Sequence, residues 1–356
     1  MDGPAFPIPI AGLPGWSEAE AEALLAGLAR HLDPGVLTRP AQAAWLGALA
    51  PALARRGRSA RRTVEEAFLA WRLPEPGFLT AYYEPVVGAS RRRAGPFQTP
   101  LHRRPPDLIR VSARPDLPGD GTWARRRSDG TLAPYPDRAA IRAGALDGLG
   151  LDLAFVADPV DAFFAQVQGS ARLRFVDGDE MRVGYHGKTG HPYTAIGRVL
   201  IDRGWLPEGG ATMQSIRAVL AAHPQIVAET LEANRSYVFF RERPLGDPAL
   251  GPVAAGGVPL VPYRSLAVDR VHHGLGTPIH IATTLPGEGD FAAVMIAEDA
   301  GSAIVGRGRG DIFIGTGDAA GAVAGAMKAP ATWTVFLPHG VAPHPVGSAA
   351  VGVVTP

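Results

Sequence analysis

Two aspartates, Asp299 and Asp311, stand twelve positions apart and bracket a loop that carries Gly301, Gly306, Gly308 and Gly310. Glycines at this density let the backbone turn tightly and let a ligand come close to it. Asp311 is followed by Ile312-Phe313-Ile314, so its carboxyl opens an apolar strand. Loss of water there raises a carboxyl pKa and keeps a proton available near neutrality, which is what a general acid requires. Asp299 closes the preceding apolar stretch, where it could orient the loop by accepting backbone N–H groups and so stay ionised. The same residues also fit a plainer account, as Asx-type turn formers beside glycine. Residue types alone leave both accounts open.

The elements that must position these aspartates are short strands. The last hundred residues alternate apolar runs with Gly and Pro turns: Val258 to Leu266, Pro278 to Thr284, Phe291 to Ala297, Asp311 to Ile314 and Thr332 to Leu337. That spacing predicts a closed β-barrel rather than a parallel sheet. The aromatic and β-branched run Phe78 to Val87 fits a further barrel strand, which makes the middle of the chain an insertion. Asp318 reads as a helix cap for Ala319 to Met327, or as a third acid of the loop.

Ahead of the barrel, Ser17 with Glu20 forms a capping-box pattern before the apolar run Ala21 to Leu32, and Asp33-Pro34-Gly35 stops that helix. Further helical patterns run from Gln42 to Ala54, with a kink at Pro51, and from Thr63 to Trp71. From Arg91 to Arg127 clustered arginines among prolines read as an irregular surface segment, either a solvated face or a basic stripe able to hold a polyanion. The middle region opens with Tyr135-Pro-Asp-Arg138 and a short helix at Asp161 to Gln168. A hairpin follows, Arg172 to Val176 with Met181 to Tyr185, and then helices Thr194 to Arg203 and Met213 to Asn234, the latter interrupted at His223-Pro224.

With 356 residues and 46% apolar composition the chain can bury a sizeable core, with room for roughly two domains of about 150 residues each. A formal net charge of +1 with 19% charged residues does not mark a nucleic-acid binder. Cysteine is absent, which excludes disulfides, thiolate metal sites and a Cys nucleophile. His272-His273 with His280 lacks a matching carboxylate arrangement, so neither metal nor cofactor is expected. The start Met1 to Ile10 has no basic region leading into an unbroken apolar stretch, and no window is apolar enough to span a bilayer.

The pattern Asp299-x-Gly-Ser-Ala-Ile-x-Gly-x-Gly-Arg-x-Asp-x-Phe-x-Gly resembles the aspartate-bearing barrel of the membrane-bound lytic transglycosylase A family. The resemblance extends in order to Leu79-Thr-Ala-Tyr-Tyr-Glu-Pro85, Tyr135-Pro-Asp-Arg138, Asp161 to Ser170, Arg182-Val-Gly-Tyr185, Gly190-His-Pro-Tyr-Thr-Ala-Ile-Gly-Arg198, Asn234 to Arg241 and Val261 to Asp269. It implies a mainly β fold with α: a double-psi β-barrel with an inserted α+β domain and an N-terminal helical layer. The expected divisions are 1–105 for the helices and first barrel strands, 106–250 for the insertion and 251–356 for the remainder of the barrel.

The resemblance further implies non-hydrolytic cleavage of the β-1,4 bond between N-acetylmuramic acid and N-acetylglucosamine in peptidoglycan, leaving a 1,6-anhydro sugar, with Asp311 as the single acid and base. A conventional glycosidase would need a second carboxylate, for which Asp299 and Glu84 are the candidates. A glycan-binding module without catalysis is the third class. Tyr82, Tyr83, Glu84, Gln166, Gln168, Ser170, Tyr185, Tyr193, Gly301 and Ser302 are the expected sugar contacts, through aromatic faces and paired donors and acceptors. The partner is then the glycan strand and not nucleic acid. A periplasmic location is expected, with a lipidated form attached peripherally to the outer membrane and a leader missing from this sequence. Oligomeric state is left open.

Overall fold

In the computed structural model, residues 4–32, 59–119, 121–301 and 303–341 are described, and the expected helix Gln42 to Ala54 lies outside them. The chain divides into two units. The first comprises the N-terminal region through Tyr83, Asp247–Gly315 and the segment from Ala319 onward. The second comprises Glu84–Gly246 and Thr316–Asp318.

Six strands of the first unit close into a barrel in the order Lys328–Pro338, Pro278–Leu285, Gly289–Asp299, Ser265–Val268, Arg309–Thr316 and Gly77–Glu84. Closure comes from the last strand pairing back on the first, with Lys328 opposite Thr80 and Ala331 opposite Gly77. Ser265–Val268 runs parallel to Gly289–Asp299 and antiparallel to Arg309–Thr316, so that Ala267 stands opposite both Asp299 and Asp311. That register brings the two aspartates of the loop to neighbouring positions.

Helix Glu18–His31 begins as its sequence dictates, with Ser17 Oγ accepting from Glu20 N at 3.2 Å. The return half of the capping box is missing, because the Glu20 carboxylate binds Arg264 Nη1 and Nη2 at 2.6 and 2.7 Å and Val294 N at 3.0 Å. The helix lays Leu24 and Leu28 against Val64, Phe68, Ile296 and Phe336. Each such fully buried side chain contributes about 1.5–3 kcal/mol.

Three expectations need correction. The helix expected over Thr63 to Trp71 stops at Ala67, and Phe68–Arg72 is a strand paired with Lys328–Pro338. Aromatic and apolar side chains there bury more on a sheet than on one more helical turn. The strand expected from Val258 is only Ser265–Val268, since Pro259 and Pro262 cannot donate to a ladder and Val261 to Ser265 form a turn. The run Phe78 to Val87 is two strands, Gly77–Glu84 in the barrel and Val86–Ser90 in another sheet, divided at Pro85.

That second sheet belongs to the second unit and has the order Val238–Arg243, Glu180–Lys188, Ser170–Phe175, Val86–Ser90, Asp152–Val156 and Thr99–His102. The unit therefore begins at Glu84 rather than at residue 106, because the strands 86–90 and 99–102 are hydrogen-bonded into it. Helix Pro159–Gln168, capped by Asp158, packs Ala162 and Ala165 on Leu101, Ala154, Leu173 and Val183. Gly169 ends it at φ 76°, a conformation that suits glycine and turns the chain directly into the strand at Ser170. Part of the supposedly irregular basic segment forms a small sheet of Leu108–Arg110, Trp123–Arg126 and Leu132–Ala133.

Candidate active site

Thr80 and Tyr82 alternate along the strand Gly77–Glu84, and Arg309 and Asp311 alternate along Arg309–Thr316, so each pair shares a face of its strand. The Thr80 hydroxyl donates a short hydrogen bond to Asp311 Oδ1. Thr80 Oγ1 in turn accepts from Arg309 Nη2 at 2.7 Å. Asp311 is partly accessible at its surface yet closely surrounded by protein, so few waters can solvate its charge. Burial pushes its pKa up to about 6, against the hydrogen bond from Thr80 and the Arg309 charge, which both favour the carboxylate; Asp299 adds to the rise. A carboxyl with this pKa holds its proton in mildly acidic solution and can release and retake it.

Asp299 accepts from Tyr82 OH at 3.0 Å and from Ala255 N at 3.1 Å. The expected backbone hydrogen bonds are therefore present. They do not keep the acid in the ordinary range, because burial outweighs them and raises its pKa. The phenol of Tyr82 is pushed well above its usual value, first by burial and then by Asp299, and remains a donor at neutral pH. Its ring packs against Phe313 at 5.4 Å.

Beneath the loop, Glu298 is completely buried and takes Arg30 Nη2 at 2.5 Å, His31 Nε2 at 3.1 Å and a short bond from Ser265 Oγ. This network joins the N-terminal helix to the strand that ends in Asp299. Gly306 N donates to Asp269 Oδ2 at 2.8 Å and fixes the far side of the glycine loop. Gly301 is exposed in that loop, and Ser302 lies outside the described residues. Sequence reasoning missed Thr80, Arg309 and Glu298. The two-residue spacing of Thr80 from Tyr82 and of Arg309 from Asp311 was the available signal.

Of the remaining candidates, Tyr83 is buried where a Cβ on Gly321 would stand 2.9 Å from its ring, which makes it a packing residue. Glu84 has no exposed surface. Both its oxygens are held by Arg182, Nε at 2.7 Å and Nη2 at 3.0 Å, and Thr316 Oγ1 donates to Oε2 at 2.9 Å. A carboxylate so engaged is neither a sugar ligand nor a second catalytic acid. Gln166 is buried with Oε1 unpartnered. Gln168 and Ser170 flank Gly169, whose carbonyl accepts from Tyr185 N at 2.7 Å, so the backbones of these residues lie together. Tyr185 and Tyr193 are exposed at 43% and 46%, unusual for rings of this size and suited to stacking on a sugar.

The histidines are occupied singly: His273 Nε2 donates to Arg307 O at 2.6 Å and His280 Nε2 to Pro14 O at 2.8 Å. Among the described residues no group of three or more His, Asp or Glu is arranged to hold a metal ion.

The model of the MltA specific insert domain matches residues 78–241, and that of the 3D domain matches residues 264–337. The crystal structure of a membrane-bound lytic murein transglycosylase from Agrobacterium tumefaciens superposes with a TM-score of 0.84 at 38% identity, covering 94% of this chain and 98% of that one. The chain belongs to the membrane-bound lytic murein transglycosylase A family. The Escherichia coli K12 member of the family is 37% identical over 255 residues, 69% of this chain. The match spans 61% of the length of that curated relative. The structure of an E. coli family member with bound chitohexaose superposes with a TM-score of 0.72 at 28% identity, covering 95% of each chain.

Proposed function

We propose that the chain is a peptidoglycan lytic transglycosylase that cleaves the β-1,4 bond between N-acetylmuramic acid and N-acetylglucosamine, with Asp311 as acid and then base. Membership of the family supports the activity, and the relative crystallised with chitohexaose supports a glycan ligand. The observation that carries the assignment of Asp311 is its pKa of about 6 together with its bond from Thr80.

In the first step Asp311 gives its proton to the glycosidic oxygen as the bond from that oxygen to muramyl C1 breaks. The muramyl C6 oxygen then closes on C1, and the Asp311 carboxylate removes the C6 hydroxyl proton. The proton count returns to its start and no water is consumed. The nucleophile is tethered to the reacting sugar, so it reacts at a high effective concentration and no second carboxylate is needed. By donating to the carboxylate Thr80 makes protonated Asp311 a stronger acid for the first step, and Arg309 orients Thr80. Asp299 and Tyr82 position the loop that carries Gly301. Tyr185, Tyr193, Gln168 and Ser170 contribute sugar contacts.

The proposed substrate supports a periplasmic location, and the membrane-bound relatives support peripheral attachment to the outer membrane in a lipidated form. No helix among the described residues is long and apolar enough to cross a membrane. Digestion of purified sacculi tests the reading. Anhydromuropeptides, lighter by one water than hydrolytic products, are expected from the wild type and not from Asp311→Asn. Reducing ends would identify a hydrolase, and undiminished anhydro products from Asp311→Asn would remove the acid from its role.

A further inference from the structure

The six-stranded sheet of the second unit has one apolar face, built from Ala89, Leu173, Val183 and Phe240 and covered by helix Pro159–Gln168. Its other face is cationic. In register across it lie Arg172, Arg182 and Arg243 in one row, and Ser170, Gly184 and Arg241 in the next. Side chains opposite one another in a ladder share a face, so these guanidinium groups project together.

The acids on this face do not neutralise it. Glu84 is spent on Arg182, whose side chain is only 3% exposed, and lies 3.8 Å from Arg172. Glu180 pairs with Arg174 at 3.2 Å and lies 3.9 Å from Arg172. Arg172 has Nε and Nη2 buried without a hydrogen-bond partner. Arg241 is exposed and Arg243 half-buried, and among the described residues neither has a carboxylate partner. The Arg243 stem lies over Gly184, where an added Cβ would stand 3.1 Å from its Cγ, so this glycine leaves room for the guanidinium against the sheet. Burial lowers the pKa of His186, and the charges of Arg104, Arg241 and Arg243 lower it further. At the Arg174 corner a recess of about 550 Å³ is lined by Val86, Gly88, Phe97, Arg174 and Val176, with Asp318 on its wall.

Like charges held side by side without counter-ions, as Arg241 and Arg243 are, are unfavourable unless a ligand supplies the opposite charge. Guanidinium groups in this arrangement suit planar carboxylates. Resting on the proposed activity, the geometry points to this face as a binding surface for the carboxylate-bearing peptide stems of the glycan strand, with Arg241 and Arg243 as its main contacts. The face would then select stem-bearing over bare glycan, a preference distinct from recognition of the sugars.

Two measurements on the full chain test this. In the first, kcat/KM is compared on glycan strands that retain their stems and on strands stripped by an amidase. The wild type is expected to favour the stem-bearing strands by about three- to tenfold, as a few partly exposed charge pairs would give. The ratio should fall towards one in R241Q/R243Q and survive in R241K/R243K, with thermal melting verifying that both variants fold. A wild type without preference, or a double glutamine variant that keeps it, overturns the proposal.

In the second, a stem tripeptide of alanine, γ-linked glutamate and diaminopimelate is titrated against the protein at about 50 and 300 mM salt and followed by calorimetry. Binding that weakens with salt and is lost in R241Q/R243Q supports the face. Absence of peptide binding, or retention on heparin without it, overturns the face. If the wild type cleaves neither strand, the transglycosylase reading fails on its own, and the titration still decides the face.

Discussion

The Thr80 hydroxyl and the Asp311 carboxylate are joined by a hydrogen bond across 231 positions of sequence, on adjacent strands of a closed barrel. The bond favours the ionised acid while burial favours the protonated one, and the balance leaves Asp311 at about 6.

Replacing Thr80 with Val removes the stabilising donor, so the Asp311 pKa rises above about 6. The protonated acid is the competent form for the first step, and activity falls as pH increases through this pKa. The alkaline limb of kcat/KM should therefore move to higher pH in Thr80→Val, while kcat drops roughly tenfold or more because the acid is a weaker proton donor and is no longer held in place. A pH–rate profile checks both.

Asp299→Asn acts in the opposite sense. Asp299 contributes to raising Asp311, so its neutral replacement should shift the alkaline limb to lower pH. Opposite displacements in the two variants are the expected result. Displacement in the same direction would contradict the electrostatic account.

Asp311→Asn should lose about 10²–10⁴ of the rate and gain stability at neutral pH. A raised carboxyl pKa means that folding favours the protonated form, so this contribution is complete below the unfolded value near 3.8 and is lost as pH rises through about 6. The asparagine variant is freed of that penalty. Its melting temperature should exceed the wild type's at pH 8 by the equivalent of about 3 kcal/mol, and the difference should vanish below pH 3.8.

Glu84→Ala leaves the Arg182 guanidinium buried without its bidentate partner. A cost of about 3–5 kcal/mol is expected, read as a fall in the denaturant midpoint. A sugar-binding role for Glu84 would instead raise KM at unchanged stability.

Much of the barrel was legible because its strands are short, apolar and separated by Gly and Pro, as in Pro278–Leu285 and Arg309–Thr316. Asp311 was legible as a candidate because it opens an apolar strand, although a turn-forming role fitted the same residues. What local pattern could not convey is pairing. Phe68–Arg72 reads as the last turn of a helix and becomes a strand because Lys328–Pro338 offers it a ladder. Glu84 reads as an available acid beside two tyrosines, and only the fold brings Arg182 onto it from 98 positions away. Thr80 carries no chemical signal until the barrel sets it against Asp311.

Closure of the barrel depends on Lys328–Ala331 lying against Gly77–Thr80. A ribosome delivers these two segments about 250 positions apart, with most of the second unit emerging between them, and contacts so distant in sequence form slowly. The ring around Asp311 cannot shut until Lys328–Ala331 has been made. A chain cut short before Lys328 would carry both aspartates and the entire glycine loop and still be unable to close the scaffold that tunes its acid. Tuning of the acid is thereby withheld from the partial chain and conferred only once this last barrel strand is in place.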